Sequence, residues 1–267
     1  MGERKAIFIT GGGSGIGRAV AQRFAREGWL VGLADVNEDG LAETAALLPE
    51  GASWTRRLDV RDRAEWDAAL VEFARINGGR LDVLFNNAGV AHGGPFVENT
   101  QAEIDQLIDV NFRGVVYGAQ AAYPFLKATP GACLLNTASA AALYGSAGLA
   151  VYSATKFAVR AMTEALEIEW AADGITVRDL MPGFIDTPLL HGPAGRDSNA
   201  SKRDKVIEGG FEFTPVEVVA DAAWNAVHSP KLHHTVGKTA RQLAFAARWM
   251  PGRIRKQMKG VFGAGRA

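Results

Sequence analysis

Ala6-Ile7-Phe8-Ile9-Thr10-Gly11-Gly12-Gly13-Ser14-Gly15-Ile16-Gly17 sets the frame for the whole chain. Ala6–Thr10 reads as a short buried strand, and a helical period runs over residues 15–28. Between them the glycines allow a tight turn. They also let backbone N–H groups approach a pyrophosphate at the positive end of the helix. The spacing is GxxxGxG from Gly11, through Gly15 to Gly17, not the commoner GxGxxG. A flexible glycine turn is the plainer alternative. The position directly between first strand and first helix favours a phosphate cradle made by Gly11, Ser14, Gly15, Ile16 and Gly17.

Working outward, apolar runs alternate with helix-period segments almost to the end. Strands are expected at Leu30–Asp35, Trp54–Val60, Leu81–Asn86, Ala132–Ala138, Ile175–Met181 and near 233–237. Helices are expected at about 38–48, 62–77, 101–111, 113–128, 150–172 and 215–229. Continuous apolar strands between helices imply an α/β fold, a parallel sheet covered on both faces. No linker or repeat divides the pattern, so residues 1–237 are read as one domain, with 238–267 as a C-terminal extension. Residues 189–212 have a loop-like composition rich in Gly, Ser and Asn.

Lys+Arg and Asp+Glu both number 29, so the formal charge is zero, which argues against a nucleic-acid partner. The zero conceals an asymmetry: residues 1–221 carry a net of −9, and the last 46 residues hold nine basic side chains and no acidic one. One cysteine, Cys133, excludes an internal disulfide and a cysteine-based metal site. No run of about 18 apolar residues and no signal-peptide pattern is present, so a cytoplasmic enzyme is expected. His191, His228, His233 and His234 have no metal-ligand spacing, so no metal is expected.

Asp35 closes the second strand 18 residues after Gly17, where an acidic side chain accepts hydrogen bonds from an adenosine ribose. Its charge would repel a 2′-phosphate, so NAD is favoured over NADP; a strand-end turn residue is the alternative, and Arg18 remains a potential phosphate contact. Further on, Tyr152 and Lys156 stand four apart on one helix face. A phenol with a pKa of about 10 is a poor base at neutral pH. A neighbouring ammonium would lower that value and make Tyr152 a usable general acid/base. Taken alone, the pair is also consistent with an ordinary amphipathic helix.

Thr10–Gly17, Asp59-Val60, Asn86-Asn87-Ala88-Gly89, Asn111, Ser139, Tyr152…Lys156 and Pro182-Gly183 occur in that order on one α/β frame. In this combination the chain resembles the short-chain dehydrogenase/reductase family, over about residues 5–190, in its compact single-domain branch. The resemblance implies a Rossmann-type doubly wound sheet of seven parallel strands in the order 3-2-1-4-5-6-7, with helices on both faces. It implies that Tyr152 exchanges a proton with the substrate oxygen, helped by Lys156, which would also bind the nicotinamide ribose. Ser139 would orient that oxygen, and Asn111, at a break between two helices, would hold a relay water. Asp59 would approach the adenine amino group with Val60 beside the ring. Asn87, Ala88 and Gly89 would line the cofactor cleft, and Pro182, Gly183, Ile185 and Thr187 would meet the nicotinamide end.

The implied activity is NAD(H)-dependent interconversion of a secondary alcohol and a ketone by a homo-oligomer. Val90, Ala91, Leu143, Tyr144, Phe184, Leu189 and Leu190 fall in the implied substrate pocket, favouring a lipophilic substrate over a sugar, with simple packing as the alternative. His92 reads as a loop residue, and 189–212 as a substrate lid. A non-catalytic dinucleotide-binding regulator is the rival from another class; the Ser139, Tyr152, Lys156 and Asn111 set argues against it. The extension interleaves Leu243, Phe245, Trp249, Met250, Ile254 and Met258 with arginines and lysines. Such a helix packs on its own domain or subunit partner, lies on an anionic membrane surface, or covers a site.

Overall fold

The computed structural model describes residues 4–191, 201–208 and 210–264. Its elements are β1 (Ala6–Thr10), α1 (Gly15–Arg26), β2 (Leu30–Asp35), α2 (Glu38–Ala46), β3 (Ser53–Arg57), α3 (Arg63–Ile76), β4 (Val83–Asn86), α4 (Gln101–Ile108), α5 (Gly114–Ala128), β5 (Cys133–Thr137), α6 (Ala150–Glu169), β6 (Thr176–Pro182), α7 (Lys202–Glu208), α8 (Val216–Val227), β7 (His233–Val236), α9 (Lys238–Trp249) and α10 (Pro251–Ala264). The strands form one sheet in the order β3-β2-β1-β4-β5-β6-β7, every pair parallel. The expected architecture is thus present. Chain order reverses between β1 and β4, where the loops after these strands part and leave a crevice.

Side-chain alternation divides the core. Ile7 and Ile9 of β1 face a layer with Val20, Phe24, Val31 and Leu33, closed by α1 and α8. Phe8 faces the other way, toward Trp66 and Phe73, beneath α3 and α5. Its ring meets Phe73 edge-on at 5.4 Å. Each of these phenylalanines, fully buried, stabilises the fold by about 2–3 kcal/mol through area removed from water. Helix starts follow their caps: Asn37 accepts from Gly40 N, Asp62 from Ala64 N and Glu65 N, and Thr100 with Glu103 forms a reciprocal capping box.

Three expectations need correction. First, β3 ends at Arg57, paired with the last residue of β2, Asp35, so Asp59 and Val60 lie beyond the ladder and not within the strand. Second, α4 and α5 are not separated by a break: a wide π turn over Asp109–Arg113 joins them. Third, the segment 189–212 is only partly loop, since α7 occupies 202–208; residues 192–200 of the expected lid lie outside the described residues.

Candidate active site

At the phosphate end, Gly11 and Gly15 adopt positive φ, +67° and +49°, which side-chain-bearing residues rarely tolerate. Gly17 is required by space: a Cβ there would be driven into the carbonyl oxygen of Gly11. Helix α1 starts at Gly15 without a side-chain cap among the described residues and without an acidic residue in its first turn. Its neighbours α2, α3 and α4 are all capped, so the N–H groups of α1 are left for an external acceptor. Open space of about 600 Å³ lies against Gly13, Ser14, Gly15 and Arg18.

Asp35 sits against this turn. Its carboxylate accepts from Gly13 N and from Asn37 N, both at 3.0 Å, so it is a turn-bracing residue as well as a candidate ribose contact. Arg18 is already committed, to Gly13 O and Glu43 at 2.7 Å and to Thr44 Oγ1 at 2.9 Å. Asp59 is likewise engaged: Arg61 grips its carboxylate at 2.6–3.1 Å and holds it below the usual carboxylate range. Val60 is buried against Gly114, where a Cβ would meet it at 2.8 Å.

The β1–β4 crevice is braced by Thr10 and Asn87. Thr10 Oγ1 accepts from the amides of both Asn87 and Ala88 at 3.1 Å, and Asn87 Nδ2 donates to Thr10 O at 2.9 Å. Asn111, fully buried in the wide turn, accepts from Val90 N at 2.8 Å and donates to Val90 O at 2.9 Å. Gly89 lies between Asn111 and Lys156: a Cβ would stand 3.3 Å from the first and 3.8 Å from the second. π turns recur at functional sites because they disturb the regular ladder of helical hydrogen bonds.

Ser139, Tyr152 and Lys156 converge. Ser139 follows β5; its hydroxyl accepts from Ala141 N at 3.1 Å, and it faces the Tyr152 phenol closely enough to counter part of the effect of burial on it. Lys156 Nζ stands 5.9 Å from the centre of the Tyr152 ring and donates to Thr137 O at 2.8 Å. Burial lowers the lysine pKa from 10.5 to about 8. Burial also pushes the phenol above 10.0, with the Ser139 bond working in the opposite sense. In the polypeptide alone, desolvation of the phenol dominates, and the Lys156 ammonium is turned to the Thr137 carbonyl.

Toward the other end, Gly183 abuts Ala240 N of α9, and Thr187 packs against Gly15, so the residues after β6 return to the glycine turn. Pro182 and Ile185 are buried. Thr214 N donates to Phe184 O at 2.8 Å, Phe211 packs on Phe184 with centroids 5.0 Å apart, and Arg203 of α7 grips Asp186 at 2.9–3.1 Å. These contacts tie Arg203, Phe211 and Thr214 to the segment that follows β6. His92 lies in a loop and hydrogen-bonds Gln106 at 2.7 Å. Sequence reasoning missed Thr137 and Arg160. Thr137 acts through its carbonyl, which no residue type announces. Arg160 donates to Ala142 O at 3.2 Å and so steadies the turn that carries Ser139.

A glycine turn at an uncapped helix and a serine–tyrosine–lysine cluster across one crevice define a dinucleotide-dependent oxidoreductase of the doubly wound class. The family model for short chain dehydrogenases matches residues 5–194. The chain belongs to that family. It is 36% identical over 190 residues to meso-2,3-butanediol dehydrogenase of Serratia marcescens, covering 71% of this chain and 75% of that one. It is 40% identical over 191 residues to L-2,3-butanediol dehydrogenase of Corynebacterium glutamicum, covering 69% and 73%. A solved short chain dehydrogenase/reductase from Burkholderia phymatum, in complex with NAD, superposes with a TM-score of 0.82 at 28% identity, over 96% of this chain and 97% of that one.

Proposed function

We propose that the chain is an NAD(H)-dependent dehydrogenase/reductase that interconverts a secondary alcohol and its ketone. The observation that carries this reading is the convergence of Ser139, Tyr152 and Lys156 at the end of β5, with Lys156 anchored to Thr137 O. A nicotinamide bound along the crevice supplies hydride exchange, the one chemical step no side chain can perform. The phosphate turn suits it: Gly11, Ser14, Gly15, Ile16 and Gly17 present backbone donors, Asn87, Ala88 and Gly89 form the crevice floor, and Asp59 and Val60 stand at the adenine side. Pro182, Gly183, Ile185 and Thr187 would receive the carboxamide end.

In oxidation Tyr152 accepts the alcohol proton while Ser139 holds the same oxygen; in reduction Tyr152 returns it. Lys156 would hold the ribose hydroxyls beside the phenol, and Asn111 would order the path by which protons reach the lysine. Asp35 at the ribose position and Arg18 locked by Glu43 support NAD over NADP. Leu143, Tyr144 and Phe184 support a substrate with apolar flanks, and short aliphatic diols, named for two relatives, have that character. A single cysteine, Cys133, suits a cytoplasmic enzyme, and exposed Ile168 suits a homo-oligomer.

The test is Tyr152→Phe. Turnover of a secondary alcohol panel should fall by about three orders of magnitude while the affinity for NAD stays within about threefold of wild type. Full activity in that variant would overturn the assignment of the acid/base.

A further inference from the structure

Helix α9 is inverted relative to a helix that merely caps a core. Its small residues Ala240, Ala244 and Ala247, with Leu243, turn toward the domain, and Ala240 is fully buried. Its two largest apolar side chains point out: Phe245 is 60% and Trp249 64% exposed. At 3.6 residues per turn, these aromatics share one arc of about 100° with Lys238, Arg241 and Arg248. All three basic residues are exposed, and Arg248 lies over the Trp249 ring at 5.3 Å. Helix α10 adds exposed Arg253, Arg255 and Lys256, anchored by buried Ile254. Among the described residues, no carboxylate pairs with any of these six cations.

We propose that the outer face of α9, with the basic side chains of α10, docks this protein on an anionic lipid bilayer. Two aromatics amid unpaired cations match the acyl/headgroup boundary, where the rings enter the apolar layer and the cations meet lipid phosphates. A two-fold contact with a second copy fits poorly, because it would bring one uniformly basic face against itself. The docking is peripheral: among the described residues no helix is long and apolar enough to cross a membrane. Helix α9 also packs on residues 140–142, next to Ser139, and Ala240 N lies 3.5 Å from a Cβ built on Gly183. A bilayer bound here is therefore one helix away from the cleft, and a lipophilic substrate has a short path to it.

The experiment is co-sedimentation of the full chain with phosphatidylcholine vesicles, with and without phosphatidylglycerol, at low and high salt. Wild type should pellet with the phosphatidylglycerol vesicles at low salt only. Two variants, Phe245→Ser/Trp249→Ser and Arg241→Gln/Arg248→Gln, should melt like wild type, since all four positions are exposed. The arginine pair should weaken vesicle binding by roughly thirtyfold, from about fivefold per basic side chain. Absence of wild-type binding, or binding that neither variant reduces, overturns the proposal. So does a fall in solution mass of the Phe245→Ser/Trp249→Ser variant, which would make the face a subunit contact instead.

Discussion

Lys156 aims its ammonium nitrogen at the carbonyl oxygen of Thr137, 2.8 Å away, from a position only 4% exposed. Its pKa falls to about 8 and that of the neighbouring Tyr152 phenol rises above 10.0, both through burial. Each shift disfavours the charged form. At neutral pH the polypeptide alone thus pairs a neutral phenol with an ammonium that burial has brought to within about one pH unit of losing its proton.

The first prediction is a stability gain where function is lost. Below pH 8 folding must place an ammonium in a dry site, and the penalty fades as pH rises from about 8 to 10.5, where only the unfolded lysine keeps its proton. At pH 7 the penalty is on the order of 3 kcal/mol. Losing the bond to Thr137 costs about 1 kcal/mol. Lys156→Met should therefore stabilise the chain by roughly 1–2 kcal/mol at neutral pH, while its turnover is abolished. Urea unfolding at pH 7 and pH 10 measures it; the advantage should shrink at the higher pH, and a variant less stable than wild type at pH 7 refutes the account.

A second prediction concerns Gly17. The turn cannot yield to a Cβ there, because Gly11 is held in the left-handed region and Asn87, which also faces position 17, is tied to Thr10 O. Gly17→Ala should cost about 1–3 kcal/mol by overpacking and remove the upward melting shift expected of wild type with NAD. A variant that melts lower but still gains the full NAD shift would show that the turn is structural only.

Much of this arrangement was legible in the residues. The strand–glycine–helix passage and the apolar runs of β1, β2 and β4 reveal the sheet, because strands covered on both faces carry no alternation to misread. What escaped did so for physical reasons. Leu58 and Val60 are apolar and buried, yet they pack under α3 and α5 after the β2 partner has run out at Asp35. The wide turn around Asn111 keeps a helical period and reads as two helices or one. Thr137 and Ala142 serve through carbonyls. The spacing of Tyr152 and Lys156 put them on one face but could not weigh desolvation against charge. In α9 the pattern marked an amphipathic helix, whereas which face points outward depended on the small residues that the domain accepts.

A third prediction follows from Asp35 and Arg18. Asp35 braces Gly13 and Arg18 is drawn to Glu43, so the proposed ribose position would meet a carboxylate while the nearby Arg18 is already paired. Asp35→Ser should weaken NAD by about tenfold, through loss of charge-assisted hydrogen bonds, and narrow the NAD/NADP preference by more than that. Steady-state kcat/KM with both dinucleotides decides it; an unchanged ratio would reduce Asp35 to a turn residue.

The last prediction lies at the sheet edge. Asp179 of β6 is fully buried; one carboxylate oxygen meets His233 Nδ1 at 2.8 Å and the other has no partner among the described residues. His233 in turn reaches Glu164 at 3.0 Å, and Glu164 holds Arg160 at 2.9 Å, the arginine that bonds Ala142 O beside Ser139. Burial raises the Asp179 pKa above 3.8, so the native state carries a penalty that is present at neutral pH and relieved as pH falls through the raised value. Removing the one partner makes the penalty larger: His233→Ala should cost about 2–3 kcal/mol at pH 7. The deficit should narrow as pH is lowered toward 5, because the isolated carboxyl then takes up a proton. Adding Asp179→Asn to His233→Ala removes the charge and should recover at least about 1 kcal/mol. Urea denaturation of the two single variants and the double variant closes the cycle; strictly additive losses would mean that Asp179 and His233 share no charge coupling.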